Sequence, residues 1–360
     1  MTSEADREAA VLDRIDAYRK RRPRFTDTVI TTAHGAGGKA SAALTDAVFL
    51  EAFANPTLAQ LTDAAVLDVG AGRLAMTTDA YVVRPLRFPG GSIGDLAVNG
   101  TVNDLAMAGA VPRWLTASFI IAEGFAVDEL RAIVADMARA AAAAGVEIVA
   151  GDTKVVDRGA ADGLFITTAG VGLVPSGVAL GAPEVRAGDR VLVSGTIGDH
   201  GVAVLLARGD LALEAEVNSD TAPLHELVRN LLSAVPATRW LRDATRGGVA
   251  TVCNELAKAA GVGVVLDEAA LPVRNPVKGA CEILGIDPLY VANEGKLVAV
   301  VPAADVDVAL AALRAHALGA DAAVIGEVVE DSSTLVVLDT AFGGSRIVDM
   351  LVGDPLPRIC

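Results

Sequence analysis

Apolar residues recur three and four positions apart over 40–54, 93–108 and 127–144, and that spacing predicts three amphipathic helices in the first half of the chain. Short runs rich in Val, Ile and Thr predict strands at 65–69, 74–78, 114–121, 146–149 and 164–171. Some of these strands follow one another with no helix between them, which favours an α+β arrangement over a strictly parallel α/β sheet. The stretch 175–183 holds glycines, two prolines and no charge, and reads as a linker. Beyond it the pattern predicts a strand at 190–194, helices at 200–208 and 248–260, and a strand at 262–266. A strand at 296–301, a helix at 304–315 and a strand at 335–338 follow. This is a second α/β layered unit of similar size, and no residue-level repeat relates the halves. The resulting division is a charged N-terminal extension (1–27), an N-terminal domain (28–175), a C-terminal domain (176–345) and a tail (346–360).

The two ends differ from the rest. Residues 1–24 carry seven bases and five acids, and a short helix at 11–19 is stopped by Pro23. The chain closes on Leu-Val-Gly-Asp-Pro-Leu-Pro-Arg-Ile-Cys, where Pro355 and Pro357 forbid a regular helix and bias their predecessors to extended geometry. Eight residues at about 3.1 Å each give a reach of roughly 25 Å. The tail is therefore an extended arm with a thiol at its tip.

The 360 residues suit two domains of ordinary size. A formal charge of −15 disfavours nucleic acid and anionic membrane surfaces as partners. With 52% hydrophobic and 21% charged residues the chain folds, and with 4% aromatics its core is built from Ala, Val, Leu and Ile. Positive mean hydropathy raises the question of a membrane span. The longest uncharged run, 163–183, contains Thr167, Thr168, Pro175, Ser176 and Pro183 and reads as a buried strand and turn. The N-terminus has no apolar stretch of the secretory kind, so a soluble, cytoplasmic protein is expected. Three cysteines, Cys253, Cys281 and Cys360, are too few for a disulfide framework and show no metal-ligand spacing.

Four features can carry chemistry. His34-Gly35-Ala36-Gly37-Gly38-Lys39 precedes a predicted helix; consecutive glycines let backbone N–H groups converge on phosphate oxygens, and a plain turn is the competing reading. Asp79, Asp104, Asp152 and Asp243 each sit in a locally uncharged or Gly-flanked setting and suit Mg²⁺ with a nucleotide; taken singly, each also reads as a cap or surface charge. Lys154 and Lys296 are two of only six lysines, one after Asp152 and one in Asn293-Glu294-Gly295-Lys296. A lysine there can neutralise phosphoryl charge and a partly buried Glu294 can act as a base. The terminal Cys360 can leave one site and enter another, its thiolate serving as nucleophile. His200, His225 and His316 have no companion at metal spacing and read as surface or capping residues. Cys253 and Cys281 read as core.

In the order His-Gly-Ala-Gly-Gly, Thr-Asp-Ala-Tyr-Val-Val, Val-Asn-Asp-Leu-Ala-Met-Ala-Gly-Ala, Gly-Asp-Thr-Lys-Val-Val, Arg-Asp-Ala-Thr-Arg-Gly-Gly-Val, Asn-Glu-Gly-Lys-Leu and Pro-Arg-Ile-Cys, the segments over about residues 28–360 closely resemble the HypE family of [NiFe]-hydrogenase maturation carbamoyl dehydratases. The Asn103-Asp104 motif alone indicates the wider aminoimidazole ribonucleotide synthetase (PurM-like) superfamily, and the Pro-Arg-Ile-Cys ending narrows it. The resemblance implies a two-domain PurM-like fold, α+β to α/β, with an N-terminal mixed sheet that dimerises and a C-terminal α/β sandwich. It implies ATP and Mg²⁺ at the N-terminal domain of a homodimer. A carbamoyl group would arrive on the Cys360 sulfur from a HypF-type carbamoyltransferase and be dehydrated to a thiocyanate. The cyano group would pass to iron held by a HypC–HypD complex.

By the same resemblance, Asp79, Asp104, Asp152 and Asp243 are expected to hold metal, not all on one ion. Gly35, Gly37, Gly38, Lys39, Asn103, Thr245, Arg246 and Gly247 are expected around the nucleotide. Lys154 is expected to stabilise the transferring phosphoryl group near Glu294, with Glu294 the first choice of base and His34 the second. Within the superfamily, selenophosphate synthetase needs a reactive residue near the glycine-rich loop, and no cysteine precedes Cys253. Thiamine-monophosphate kinase gives a terminal thiol no role. A non-catalytic scaffold that docks through Cys360 is the reading from another class.

Overall fold

The computed structural model describes residues 27–360 except positions 29, 36, 51, 53–54, 71, 210–215, 352–355 and 357. The charged extension up to residue 26, with its expected helix at 11–19, lies outside the described residues. The first elements among the described residues are a 3₁₀ turn, Thr32–Gly35, and a short helix α1, Lys39–Leu44. Strands β1 (Ala65–Asp68) and β2 (Arg73–Tyr81) follow. A two-residue ladder, β3 (Arg87–Phe88) with β4 (Gly91–Ser92), leads into helix α2 (Ile93–Met107). Strand β5 (Val111–Ala122), helix α3 (Val127–Ala144) and strands β6 (Glu147–Val156) and β7 (Leu164–Val174) complete a sheet in the order β1-β2-β7-β5-β6. Only β5–β6 runs parallel, so the sheet is mixed.

Helix α2 is the spine of this half. Its N-terminus is fixed by a capping box in which Ser92 Oγ accepts from Gly94 N (3.2 Å) and Asp95 Oδ2 accepts from Ser92 N (2.9 Å). All but two of its residues are buried, and a Cβ on Gly100 would lie 2.2 Å from the Tyr81 hydroxyl, so glycine is what lets α2 lie on β2. Helices α2 and α3 cover one face of the sheet, on Leu115, Ala117, Leu164 and Ile166. The other face carries exposed apolar side chains, among them Met76, Trp114, Ile120 and Leu173.

The second half holds β8 (Arg190–Val193), α4 (Asp199–Ala207), α5 (His225–Ala234), β9 (Trp240–Asp243), α6 (Gly248–Ala260) and β10 (Gly263–Asp267). Helix α7 (Asn275–Leu284), β11 (Leu297–Val301), α8 (Val306–Arg314), β12 (Ala323–Val329), β13 (Val336–Asp339) and β14 (Ser345–Ile347) follow. Its seven strands lie in the order β14-β13-β10-β12-β8-β11-β9. Alternate residues of β11 feed two cores: Val298 and Val300 pack with α6, Leu297, Ala299 and Val301 with α5 and α8. That is why β11 is apolar throughout. The C-terminal end of α2, Ala106 and Met107, enters the second of these cores and joins the halves.

Most elements of the sequence pattern are present with small shifts at their ends. The helix expected over 40–54 is α-helical only over Lys39–Leu44 and continues as a π-helix over Thr45–Leu50, and the elements not predicted are α5, α7, β3, β4, β9, β12 and β14. Strand β9 carries Arg242 and Asp243, charges that disguise a strand and that the site uses. Strand β12 is interrupted by Gly326 at a register shift. Cys253 and Cys281 are buried, as expected of core residues, and burial pushes their thiols up to about 12 and about 11. His316 caps a 3₁₀ turn by accepting from Leu318 N. His200 is a correction: its exposure is 0%, and it belongs to the site described below.

Candidate active site

The site forms where β2, α2 and β9 end side by side. Asp79 stands on β2, Asp104 on α2, and Asp243 closes β9 in register with Leu297 of β11. Asp63, ahead of β1, joins them. Carboxylate oxygens of Asp63, Asp104 and Asp243 all lie within 4.8 Å of one another. Arg242 Nε is 2.9 Å from Asp63 Oδ1 and Arg242 Nη2 is 3.2 Å from Glu255, so this cation sits beside the cluster without neutralising it. Thr77 Oγ1 donates to Asp104 Oδ2 at 2.7 Å.

Burial pushes Asp63 up to about 6 against the pull of Arg242, with Glu255 and Asp79 adding repulsion. Burial raises Asp104 well above the carboxylate range, with Asp243, Asp63 and Asp79 adding to it. Asp243 is raised well above its usual value by burial and then by Asp63. Asp79 is raised by burial and restrained by Arg246. Converging carboxylates that cannot all ionise comfortably are what a hard divalent cation relieves.

Next to the cluster lie Arg246, Glu294 and Cys360. The loop after β9 carries Thr245, Arg246 and Gly247, with Gly247 at φ +79° and Gly248 at φ +61°, a left-handed pair that turns the chain into α6. Of the influences that raise the Arg246 guanidinium, Cys360 is the largest, and Asp79 and Glu294 contribute. Burial raises the Cys360 thiol, Arg246 opposes that, and Glu294 stands within hydrogen-bonding reach of it. Glu294 is 3% exposed, its Oε1 has no hydrogen-bond partner among the described residues, and burial followed by Asp243, Asp79 and Asp220 raises it well above the carboxylate range.

The loop bearing Glu294 is held from behind. Asn103 Nδ2 donates to the Glu294 carbonyl (3.2 Å) and to Ala222 O (3.1 Å), and Asn103 Oδ1 accepts from Leu224 N (2.7 Å). Asp220 Oδ1 accepts from Glu294 N at 2.9 Å while its Oδ2 pairs with Lys296 Nζ at 3.1 Å. Asn103 and Lys296 thus brace the Glu294 loop.

The tail is docked. Val82 N donates to the Cys360 carbonyl (3.1 Å) and Arg84 N to Arg358 O (3.2 Å), which extends the line of β2 with the last residues. Ile359 is buried in the core of the first half with Val204 and Ala292. At the tail's base, Leu351 O accepts from Lys39 N at 3.1 Å.

The glycine-rich loop lies between the Arg246 loop and the base of the tail. A Cβ on Gly37 (φ +75°) would sit 3.2 Å from Arg246 O, and one on Gly38 would sit 2.4 Å from Leu351 O. Gly35 ends the preceding 3₁₀ turn. Lys39 Nζ pairs with Asp349 at 2.6 Å. His34 Nδ1 accepts from Thr31 N at 3.0 Å, and its Nε2 is 3.0 Å from Asp27.

Two expected residues stand apart in a single chain. Asp152 and Lys154 are exposed on the edge strand β6 and pair with each other at 2.6 Å. They pair across the ladder with Ser118 and Ile120, on the face away from α2 and α3, whereas Asp79 alternates with Ala75 and Tyr81 towards the helices. Three strand spacings, about 14 Å, separate β6 from β2. The expected proximity of Lys154 to Glu294 is therefore corrected within one chain, because sheet order and side-chain alternation put the two on opposite sides. Asp63, Arg242 and Asp220 escaped sequence reasoning. Asp63 looks like an ordinary turn carboxylate, and only its position two residues before a strand set it apart.

Known proteins are similar to this chain in sequence and fold. The family model for the AIR synthase related protein N-terminal domain matches residues 61–174, and that for the C-terminal domain matches 186–339. A carbamoyl dehydratase HypE of Cupriavidus necator is 56% identical over 332 residues, 92% of this chain and 95% of the relative. A crystal structure of a HypE–HypF complex contains a chain 49% identical, with TM-score 0.82 over 86% of this chain and 99% of the other. A HypE crystallised in complex with ATP is 47% identical, with TM-score 0.78 over 92% of this chain and 100% of the other. Among the described residues no helix is long and apolar enough to cross a membrane.

Proposed function

The chain belongs to the HypE family of carbamoyl dehydratases, built from the two AIR synthase related domains, and from that premise we propose that it dehydrates an S-carboxamide on its own Cys360 to a thiocyanate at the expense of ATP. The thiocyanate supplies the cyanide ligand of the [NiFe]-hydrogenase iron. The observation that carries this reading is a C-terminal sulfur docked against Glu294 and Arg246 beside a carboxylate cluster.

The carboxamide oxygen is a poor leaving group until it is phosphorylated. It takes the γ-phosphoryl group of ATP, ADP leaves, and nitrogen loses one proton, giving an S-linked imidoyl phosphate. Loss of the second N–H proton forms the C≡N bond as the C–O bond breaks and its electron pair departs with phosphate. Glu294 is the first choice to take a proton from nitrogen, since its buried, unpartnered Oε1 suits an N–H donor. Arg246 faces the sulfur end and stabilises negative charge there. His34, engaged by Thr31 and Asp27, stays the second choice of base. Burial of Ile359 keeps bulk water from the reacting end.

Asp63, Asp79, Asp104 and Asp243 would hold Mg²⁺, because their mutual repulsion calls for a cation that Arg242 does not replace. Bound there, Mg²⁺ would offset the charge of the nucleotide phosphates. Gly35, Gly37, Gly38, Lys39, Thr245 and Gly247 form the rim we assign to the nucleotide. Asn103 acts on it from behind, through the Glu294 loop.

A HypF-type carbamoyltransferase loads Cys360, and a HypC–HypD complex accepts the cyano group. The three cysteines, none in a disulfide, suit the reducing cytoplasm. The apolar outer face with Met76, Trp114, Ile120 and Leu173 supports a homodimer built through the first sheet. Because Asp152 and Lys154 lie on the far edge of that sheet within one chain, a phosphoryl role for Lys154 requires that it act on the partner's nucleotide.

The test is a weighing. S-carbamoylated chain incubated with Mg·ATP should lose the mass of one water, and Cys360→Ala, which cannot be carbamoylated, should show no change. ATP hydrolysis without that mass loss would refute the assignment.

A further inference from the structure

His200, on α4, touches the tail one residue from the sulfur. Its Nε2 lies 2.8 Å from the Ile359 carbonyl, which can only accept, so Nε2 carries the ring proton. Nδ1 is then the acceptor for the Ser219 hydroxyl at 2.8 Å. The ring meets Phe88 edge to face, with centroids 5.5 Å apart and planes at 88°. The Ile359 carbonyl therefore sets the tautomer, and Ser219 and Phe88 hold the plane of the imidazole.

Nearer the tip the other side-chain bonds are wetter: Arg358 pairs with Asp162, a carboxylate 45% exposed, and Arg208 Nη2 reaches Arg358 O at 2.8 Å from a half-buried position. The His200 bond has both partners buried, and a buried carbonyl that loses its donor is costly to leave unpaired. The docked tail also works against its backbone: Arg358 sits at φ +55°, a left-handed conformation that non-glycine residues disfavour. A tail held under such strain depends on its shielded contacts.

We propose that His200 is a positioning residue, which locks the Ile359–Cys360 peptide so that the sulfur faces Glu294 and Arg246, and whose bond must open before the thiol can meet a partner enzyme. Its consequence for dehydration rests on the function proposed above, whereas the lock itself does not.

The lock is read directly by alkylation of the full-length chain with iodoacetamide, with each cysteine followed by peptide mass. His200→Phe fills the ring's space and keeps an aromatic against Phe88 but cannot donate. His200→Gln puts an amide N–H near the place of Nε2. Cys360 of the Phe variant should be alkylated at least tenfold faster than in the parent, with Cys253 and Cys281 unchanged. The Gln variant should stay within about threefold of the parent. With carbamoylated chain, the Phe variant should lose dehydration kcat while KM for ATP holds. Equal alkylation of Cys360 in parent and Phe variant, or equal acceleration in the Phe and Gln variants, overturns the lock. Should the Phe variant fail to fold, Ser219→Ala removes the bond that orients the ring, together with the one that Ser219 Oγ accepts from Thr221 N. Severalfold faster Cys360 alkylation supports the proposal there, and a parental rate overturns it. Absence of dehydration in the parent defeats the proposed function and leaves the alkylation result standing.

Discussion

Asp104→Asn should make the metal-free protein more stable and inactive at once. The amide is isosteric and its Oδ1 can still accept from Thr77 Oγ1, so the change removes charge and little else. Asp104 has carboxylate neighbours Asp63 and Asp243 with oxygens within 4.8 Å. At an effective dielectric of about 20, two full charges at that separation repel by about 3.5 kcal/mol. Because the metal-free site relieves part of this by keeping protons, the net gain expected at pH 8 is about 1–3 kcal/mol. The sign follows from linkage: a carboxyl raised by folding binds more protons when folded, so its destabilisation is absent below the unfolded value of 3.8 and grows as pH rises towards the folded value. Thermal melts in EDTA at pH 8 should thus put the variant above the parent by some 2–4 °C per kcal/mol. The gap should shrink at pH 4.5, where the parent carboxyls hold protons. Millimolar Mg²⁺ at pH 8 should raise the parent and leave the variant nearly unmoved, and the variant should not dehydrate carbamoylated Cys360. A variant no more stable than the parent at pH 8 in EDTA, or an equal advantage at both pH values, would refute the electrostatic account of the cluster.

Three further outcomes are expected. Glu294→Gln should accept the carbamoyl group normally yet lose water from it at least a hundredfold more slowly, as single-turnover mass measurements would report; parental turnover would remove Glu294 as base. Asn103→Ala breaks three hydrogen bonds, two of them fully buried, and should cost about 2–4 kcal/mol in urea unfolding, with a fall in kcat exceeding any change in KM for ATP. Lys154→Ala should leave stability within about 1 kcal/mol, because its ion pair is exposed. It should also abolish dehydration, and mixed dimers with Glu294→Gln chains should recover activity if each lysine serves its partner's site; no recovery would place Lys154 outside that role.

Local physics explains what the sequence revealed. Helices at Ile93–Met107 and Val127–Ala144 announce themselves by their apolar spacing, and the structure agrees locally, with a capping box starting the first and Gly145 closing the second. Cys360 stands out through the Pro-Arg-Ile-Cys segment that carries it, whereas the extended geometry expected at Pro355 and Pro357 lies outside the described residues. Asp79, Asp104, Asp243 and Glu294 stand out as charges inside apolar or glycine-flanked stretches.

Tertiary structure decided the rest, because burial, pairing and distance depend on residues remote in the chain. Asp63 became part of the cluster only through the packing of the segment before β1 against α2 and β9. His200 looked like a surface histidine until Ser219, 19 positions away, and Ile359, 159 positions away, closed around it. Asp152 and Lys154 carry a persuasive local motif, yet sheet order and side-chain alternation send them to the far edge. A one-dimensional pattern records which residues are unusual for their neighbourhood. Which of them share a site is set by long-range strand order and by the crossing of one buried helix between two sheets.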